Sequence, residues 1–197
     1  MTEDEYEQDF RGRSVAFQPW LPLTSEQLEE QKVIQSVLAR YCGARFGSNV
    51  YVASNANVFT SALVIGDRSV VAGGAILRGT IEIGPDCSVN AYAHLAGKIT
   101  IGRGVRIAGH VSIYGFNHGT ARTDIMIMEQ PLTAEGVVIG DGTWIGAGAI
   151  VVDGVKVGAN CVVGAGAVVI KEIPDFQIVV GNPARILRDR RDAVLAQ

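Results

Sequence analysis

Residues 95–113 read LAGKITIGRGVRIAGHVSI, and an aliphatic residue stands at every sixth position of this stretch: Leu95, Ile101, Ile107 and Ile113. The same step begins at Ile65 and returns at Ile139. A strict short period of aliphatic residues is typical of a β-solenoid, in which each repeat supplies one short strand and one turn.

The fifth residue of each repeat is small or apolar and lies two positions before the next aliphatic residue, as Ile99 does before Ile101. Alternate side chains of a strand point the same way, so both are predicted to be buried while Thr100 faces outward. Three strands and three corners then make one triangular coil of roughly eighteen residues, with coils stacked roughly 4.8 Å apart.

Glycine often follows the aliphatic residue, at the corner between two strands. We expect these corners to require either a positive φ or a close approach of another backbone. The glycines concerned are Gly66, Gly84, Gly102, Gly140, Gly146, Gly158 and Gly164.

The composition argues against several classes of protein. The 197 residues are enough for one domain with a sizeable core, and the net charge of −3 gives no global reason to expect a nucleic acid partner. No apolar run is long enough to span a membrane, and no signal-type stretch follows the acidic N-terminus. Cys87 and Cys161 fall at inward fifth positions, so we interpret them as core residues rather than disulfide or metal partners, which fits a cytoplasmic location.

The chain divides into three predicted parts. Residues 1–45 form an N-terminal arm and helix, residues 46–183 form the hexapeptide-repeat solenoid, and residues 184–197 form a short basic C-terminal helix or tail. The N-terminal helix is predicted to begin at Thr24 or Ser25 and to end near Gly43, with Gln27 in the capping-box position. One helical face is expected to carry Leu28, Ile34, Val37, Leu38 and Tyr41.

A loop over residues 115–136 interrupts the repeats, because Ile113 and Ile139 are 26 positions apart, which is four hexads plus two. Long loops in compact domains usually carry function. His118 lies in this loop, and histidine exchanges a proton near neutral pH, so His118 is the candidate general base. His94 and His110 are interpreted as solvent-facing residues of the coils.

These repeats resemble the hexapeptide-repeat acyltransferases, in particular the maltose and galactoside O-acetyltransferases and the xenobiotic acetyltransferases. The resemblance extends from about residue 65 to about residue 187. It implies an all-β fold, a left-handed parallel β-helix with a short helix at each end. It also implies a homotrimer whose sites lie between neighbouring prisms.

The resemblance also implies roles for residues on the acceptor side. Asn117 and His118, followed by Asp124, are similar to an Asn-His…Asp pattern of these families. The matching histidine deprotonates the acceptor hydroxyl, which then attacks the thioester of acetyl-CoA. Asn90 resembles the asparagine that lines the acceptor side in galactoside-type enzymes.

On the donor side, the sequence around Trp144 is similar to a family segment whose tryptophan walls the acetyl-transfer site. The positions of Ala147 and Ala165 match backbone groups that face the thioester and the pantetheine arm. Lys171 and Arg185 match positions that meet the phosphates of coenzyme A, a polyanion that suits cationic side chains.

The resemblance therefore implies an acetyl-CoA-dependent O-acetyltransferase that acts on a sugar or other hydroxylated small molecule and requires no metal. Three alternatives stay open: N-acetylation of an amino or nucleotide sugar, a non-catalytic scaffold, and a metalloenzyme similar to the γ-carbonic anhydrases. The last requires three clustered histidines. The three histidines of this chain are spaced 16 and 8 positions apart.

Overall fold

A computed structural model describes residues 23–193, so the predicted arm of residues 1–22 and the last residues of the tail lie outside it. Across the described residues, no helix is both long and apolar enough to cross a membrane. The elements are α1 (Ser25–Cys42), β1 (Arg45–Phe46), β2 (Tyr51–Val52), β3 (Asn57–Ile65), β4 (Val70–Val71), β5 (Ile76–Ile83), β6 (Ser88–Val89), β7 (His94–Ile101), β8 (Arg106–Ile107), β9 (Ser112–Gly115), β10 (Asn117–His118), β11 (Leu132–Thr133), β12 (Val137–Ile139), β13 (Trp144–Ile145), β14 (Ile150–Val151), β15 (Lys156–Val157), β16 (Val162–Val163), β17 (Val168–Val169), β18 (Gln177–Val180) and β19 (Arg185–Asp189).

Successive coils pair in parallel and in a fixed register. Ile76 pairs with His94 and His94 with Ser112, so each partner lies 18 positions further along the chain. Beyond the loop, Trp144 pairs with Val162 at the same step. The predicted all-β solenoid is confirmed, while its left-handed sense stays a prediction.

The coils form a prism with three faces. Face 1 consists of β2, β4, β6, β8, β13, β16 and β18. Face 2 contains β9, β14, β17 and the first halves of β3, β5 and β7, and face 3 contains the second halves of those long strands with β12 and β15. We call the edge between faces 1 and 2 the turn edge, and the edge between faces 2 and 3 the loop edge.

The interior is a column of aliphatic side chains, as the six-residue period predicts. Every aliphatic repeat position from Ile65 to Ile113 and from Ile139 to Val169 is at most 2% exposed. The fifth positions are buried as well, including Cys87 and Cys161, whose thiols are free. Burial raises the pKa of both thiols. The two cysteines are therefore core residues, as predicted.

Close approach of neighbouring backbone, rather than a positive φ, explains the glycines after the aliphatic residues. None of these seven glycines has a positive φ. A Cβ on Gly84 would lie 2.7 Å from the carbonyl carbon of Gly102, and one on Gly140 would lie 2.5 Å from the amide nitrogen of Ala159. Real Cβ atoms do not tolerate such distances, so stacking of the coils itself demands glycine here.

Helix α1 has the predicted boundaries. Thr24 Oγ1 accepts a hydrogen bond from the Gln27 amide at 3.2 Å, the Thr24 amide donates to Gln27 Oε1 at 2.9 Å, and Gly43 ends the helix with φ 58°. The predicted buried face is only partly correct. Ile34 and Leu38 pack against the core, whereas Val37 is 47% and Tyr41 76% exposed.

Two glutamines of α1 close the N-terminal end of the solenoid. Gln31 is 3% exposed; its Nε2 donates to the Val52 carbonyl at 2.9 Å, and its Oε1 accepts from the Val52 amide at 2.8 Å. Gln35 Nε2 donates to the Val50 carbonyl at 2.9 Å. These side chains occupy the positions that a further strand would take. Without them the edge would present unpaired backbone groups, which favour association with other chains.

At the other end the prediction of a basic helix is wrong. Arg185–Asp189 is strand β19, antiparallel to β18, and a single 3-10 turn follows at Arg190–Ala193. A short isolated helix is marginally stable, whereas a strand at this position pairs with the open edge of the last coil.

Arg190 and Arg191 contact the last coils of the solenoid. One Nη of Arg190 donates to the Asn160 carbonyl at 2.7 Å, and the Arg191 guanidinium lies 4.7 Å from the Phe176 ring centroid.

The capping role of Gln31 predicts a large cost for its removal. In Gln31→Ala, the amide and carbonyl of Val52 lose their partners, and each unsatisfied buried group costs about 1–3 kcal/mol. We expect urea denaturation to show a lower free energy of unfolding by about that amount or more. Glu29→Ala, an exposed change on the same helix, serves as the control, and equal stability of the two variants would contradict the capping role.

Candidate functional site

The loop leaves the prism at the loop edge and is internally ordered. Its base is an antiparallel pair in which Asn117 faces Thr133 and His118 faces Leu132. A 3-10 turn, Ile127–Glu129, lies near its far end. His118 is thus held on a short paired strand and is exposed to solvent.

A row of aromatic rings runs along face 2 toward His118. Ser112, Tyr114, Phe116 and His118 alternate along the extended chain, so their side chains share one side. Ring centroids are 6.4 Å apart for Tyr114 and Phe116 and 6.3 Å for Phe116 and His118, both edge-on. His94 begins the row, with its Nδ1 3.4 Å from the Tyr114 hydroxyl. The row ends in a contact between the Phe116 ring and the His118 imidazole, and its period-two spacing was readable from the sequence.

The two residues predicted to act beside His118 have other partners within the chain. Asn117 Oδ1 accepts a hydrogen bond from the His118 amide at 2.9 Å, which fixes the backbone rather than the ring. Asp124 accepts from Arg122, with 2.9 Å from Nε to Oδ1, and this guanidinium holds the pKa of the Asp124 carboxyl below its usual range.

Gln130 organises the loop, and the sequence analysis missed it. Its side chain is 6% exposed, although it lies between exposed residues. Its Oε1 accepts from the Arg122 amide at 3.0 Å, and its Nε2 donates to the Arg122 carbonyl at 2.8 Å. A lone glutamine in a polar loop gives no pattern to recognise, because its value depends on which backbone the loop brings to it.

The turn edge carries a column of backbone groups. The Gly148 amide donates to the Gly109 carbonyl at 3.1 Å, and the Gly166 amide donates to the Ala147 carbonyl at 2.9 Å, so successive turns stack directly. Ala147 and Ala165 are exposed, and within residues 23–193 their own amides donate to no acceptor. Two amides without an acceptor therefore belong to exposed residues one coil apart.

Arg185 belongs to the same edge, because the turn after β18 is the last of this column. The Val168 amide donates to the Gly181 carbonyl at 3.0 Å, and the Ala184 amide donates to the Val168 carbonyl at 2.8 Å. Arg185 is exposed immediately after this turn. Ala147, Ala165 and Arg185 thus follow one line toward the C-terminal end.

Of the other predicted site residues, Lys171 and Trp144 lie elsewhere on the prism, whereas Asn90 begins the turn of residues 90–93 on the turn edge. Lys171 follows β17 and lies at the loop edge, on the same side as the loop of His118. Trp144 is on face 1, in register between Arg106 and Val162, and is 53% exposed. Asn90 Nδ2 donates to the Ile107 carbonyl at 2.7 Å, so its amide group connects two coils.

Face 2 therefore separates His118 from the free amides of Ala147 and Ala165 within one chain. The structure also gathers no group of three or more His, Cys, Asp or Glu side chains that could hold a metal, as far as residues 23–193 are concerned. The histidines, in particular, lie at different places: His110 at the turn edge, His94 on face 2 and His118 in the loop.

Comparison with protein families matches residues 80–115 and 136–171 to the bacterial transferase hexapeptide (six repeats). Among curated proteins, the putative lipopolysaccharide biosynthesis O-acetyl transferase WbbJ of Escherichia coli is 36% identical over 120 residues, which are 56% of this chain and 61% of WbbJ. The probable acetyltransferase Rv3034c of Mycobacterium tuberculosis is 34% identical over 64% of this chain and 42% of its own length. The chain therefore spans about half the length of these relatives.

Among solved structures, the N-acyltransferase AntD from Bacillus cereus, in complex with dTDP and 3-hydroxybutyryl-CoA, superposes with a TM-score of 0.71. The superposition covers 89% of this chain and 93% of AntD at 22% identity. The acetyltransferase domain of PglB from Neisseria gonorrhoeae, in complex with acetyl coenzyme A, gives a TM-score of 0.51 at 22% identity over 82% of this chain and 67% of that one. At such identities the likeness shows a shared fold.

Proposed function

We propose that the chain is a hexapeptide-repeat transferase and, more closely, an acetyl-CoA-dependent O-acetyltransferase of a sugar or other hydroxylated small molecule, with His118 as general base; the repeat match and the relative at 36% identity support this. The observation that carries the proposal is the placement of His118. It is exposed on a paired strand, and its ring contacts the end of the aromatic row of face 2.

The reaction begins when the neutral imidazole of His118 removes the proton of the acceptor hydroxyl. The oxygen attacks the thioester carbonyl carbon, and a tetrahedral oxyanion forms. Its collapse breaks the carbon–sulfur bond, and the departing thiolate takes the proton back from the imidazolium, so the base is regenerated. The free amide of Ala147 is a fitting donor to the oxyanion, because a fixed backbone N–H needs no reorganisation as charge develops.

The line from Ala147 through Ala165 to Arg185 suits the long donor molecule. We place the pantetheine arm along the turn edge, where the two alanine amides meet its polar groups. The phosphates then lie toward the C-terminal end, where Arg185 supplies charge. Lys171 is exposed at the opposite edge of face 2 and would reach phosphates of a donor bound against a neighbouring chain.

This separation favours a site shared between copies, and we propose the homotrimer expected of the family. His118 of one copy would face the turn edge and the Trp144 side of the next. Exposed apolar side chains fit burial between copies: Trp144 at 53%, Met126 at 62% and Met128 at 80% exposure. Asn90, Asn117 and Asp124 would line the acceptor side of such a site.

The reducing cytoplasm is the proposed location of the protein, since Cys42, Cys87 and Cys161 are free thiols.

Two acceptor chemistries compete. The relative at 36% identity is named an O-acetyl transferase, which favours a hydroxyl acceptor. AntD, an N-acyltransferase also solved with dTDP-4-amino-4,6-dideoxyglucose, shares the fold over most of both chains, which keeps an amino sugar as the second candidate. A thiol-release assay with acetyl-CoA across matched sugars and amino sugars tests both, and release with neither class would contradict the proposal.

Replacing the base predicts a loss of turnover with retained donor binding. His118→Ala should lower kcat by roughly 10²–10⁴-fold with a verified acceptor, the usual contribution of a general base. The Kd for acetyl-CoA, measured by calorimetry, should change little. Thr120→Ala, an exposed change in the same loop, is the control. A His118→Ala enzyme with near-parental kcat would refute the assignment.

Reversing the charge of Arg185 and Lys171, the residues proposed to bind the phosphates of coenzyme A, should weaken the binding of acetyl-CoA. Arg185→Glu with Lys171→Glu should raise the KM for acetyl-CoA by about tenfold or more, because each ionic hydrogen bond is worth about 1.5–3 kcal/mol. The effect on kcat should be small, since the phosphates lie far from the thioester. Lys156→Glu combined with Arg45→Glu, two exposed residues of face 3, changes the net charge by the same amount and is the control. Acetylated pantetheine, which lacks the nucleotide, should remove the difference. An unchanged KM would place the phosphates elsewhere.

A site shared between copies predicts complementation. His118→Ala chains and Ala165→Phe chains, the latter obstructing the turn edge, should each be inactive alone. After the two are mixed, unfolded and refolded together, activity should return, because some interfaces then combine an intact loop with an intact turn edge. Light scattering should report a trimer throughout. A stable monomer, or mixtures that remain inactive, would contradict the shared site.

A further inference from the structure

The residue type at the tip of each turn changes along the turn edge. In five successive coils the third residue of the turn has a positive φ, and in three of these it is glycine: Gly74, Gly148 and Gly166. In the two coils between Gly74 and Gly148 it is Tyr92 and His110, both with φ 59°. A side chain in this conformation is unfavourable compared with glycine, and such residues concentrate at ligand-binding sites.

The two rings form a braced stack. Their centroids are 5.3 Å apart and their planes are inclined by 15°. The Tyr92 ring lies over Gly74, where a Cβ would come within 2.5 Å of Tyr92 Cε1. The Tyr92 ring is therefore supported by the backbone at Gly74, and the His110 ring stacks on Tyr92 from the next coil toward the C-terminus.

Beyond His110 the edge is open. A Cβ placed on Gly148 or on Gly166 would meet no atom within 4 Å. Because the Gly148 amide bonds to the Gly109 carbonyl, this open strip begins directly beside the His110 turn. The exposed amides of Ala147 and Ala165 border it. The result is an open strip along the edge, with the amides of Ala147 and Ala165 beside it and the two stacked rings at one end.

We infer that the His110 ring, braced by Tyr92, is the end wall of the open strip on which the acyl donor lies and limits the length of the acyl group that the protein accepts. The inference rests on the proposed function, which orients the pantetheine arm from Arg185 toward Ala147. A donor lying so has its thioester end toward His110. An acetyl group is short enough to lie between the thioester and the His110 ring. Each further methylene of a longer acyl chain must displace that ring or turn away from the strip.

The test compares equilibrium binding of acetyl-CoA and hexanoyl-CoA by calorimetry without an acceptor, so it does not depend on turnover. The parent should bind acetyl-CoA at least about tenfold more tightly, since methylene-level discrimination in an apolar pocket spans roughly 10–200-fold. His110→Gly, which introduces the residue that the following coil has at this position, should reduce that ratio by about tenfold. His110→Asn, which also tolerates a positive φ, should give an intermediate ratio.

Asn160→Gly is the matched control, because Asn160 has φ 56° at a different edge of the prism. Its acetyl to hexanoyl ratio should equal that of the parent. A ratio unchanged in both His110 variants, or a parent that binds the two donors equally, would overturn the end wall. Turnover with acetyl-CoA in that same parent would leave the proposed function standing, whereas a protein that binds neither donor would refute both.

Discussion

Backbone hydrogen bonding between coils is the constraint on which the rest of this molecule depends. Many of its strands are two residues long, too short to persist alone, and the coils before and after hold them in place. Ser88 pairs with Val70 and with Arg106, each 18 positions away, whereas Trp144 pairs with Arg106 across the inserted loop and with Val162 18 positions later. The coil must repeat its length accurately, or every later side chain changes face. The glycines after the aliphatic residues follow from the same constraint, because coils stacked this closely leave no room for a Cβ.

A stacked ladder has two open ends, and the chain treats them differently. At the N-terminal end, Gln31 and Gln35 use side-chain amides to imitate a strand, which lets a helix cover a sheet edge without leaving backbone groups unpaired. At the C-terminal end the chain reverses, and β19 pairs with the last coil in the antiparallel sense. Both devices satisfy the requirement that buried backbone groups find partners.

The prism separates the chemistry by edge. The loop edge can depart from the coil because the chain bends there at glycine, and the departure places His118 on its own paired strand. The turn edge stays regular and offers repeated amides at one spacing. A long donor molecule needs such a repeating line, while a base needs a side chain held out from it. Since face 2 lies between them, the proposed reaction would require copies of the chain to assemble so that both meet at one site.

The six-residue period alone determined the solenoid, its buried positions and the place where the loop interrupts it, because burial along a two-residue alternation is a local property of the chain. The same local patterns predicted the capping box of Thr24 and Gln27 and singled out His118.

Local patterns gave a wrong prediction for residues 184–193, where a strand forms because the last coil offers an unpaired edge. They were also wrong for Val37 and Tyr41, because helical periodicity does not say which side of the helix packs against the core. The roles of Gln31 and Gln130 likewise depend on backbone groups brought from elsewhere. The stack of Tyr92 and His110, 18 positions apart, exists only after the coils are superposed. What repeats along the chain could be read from the sequence, whereas what meets across coils was decided by the tertiary structure.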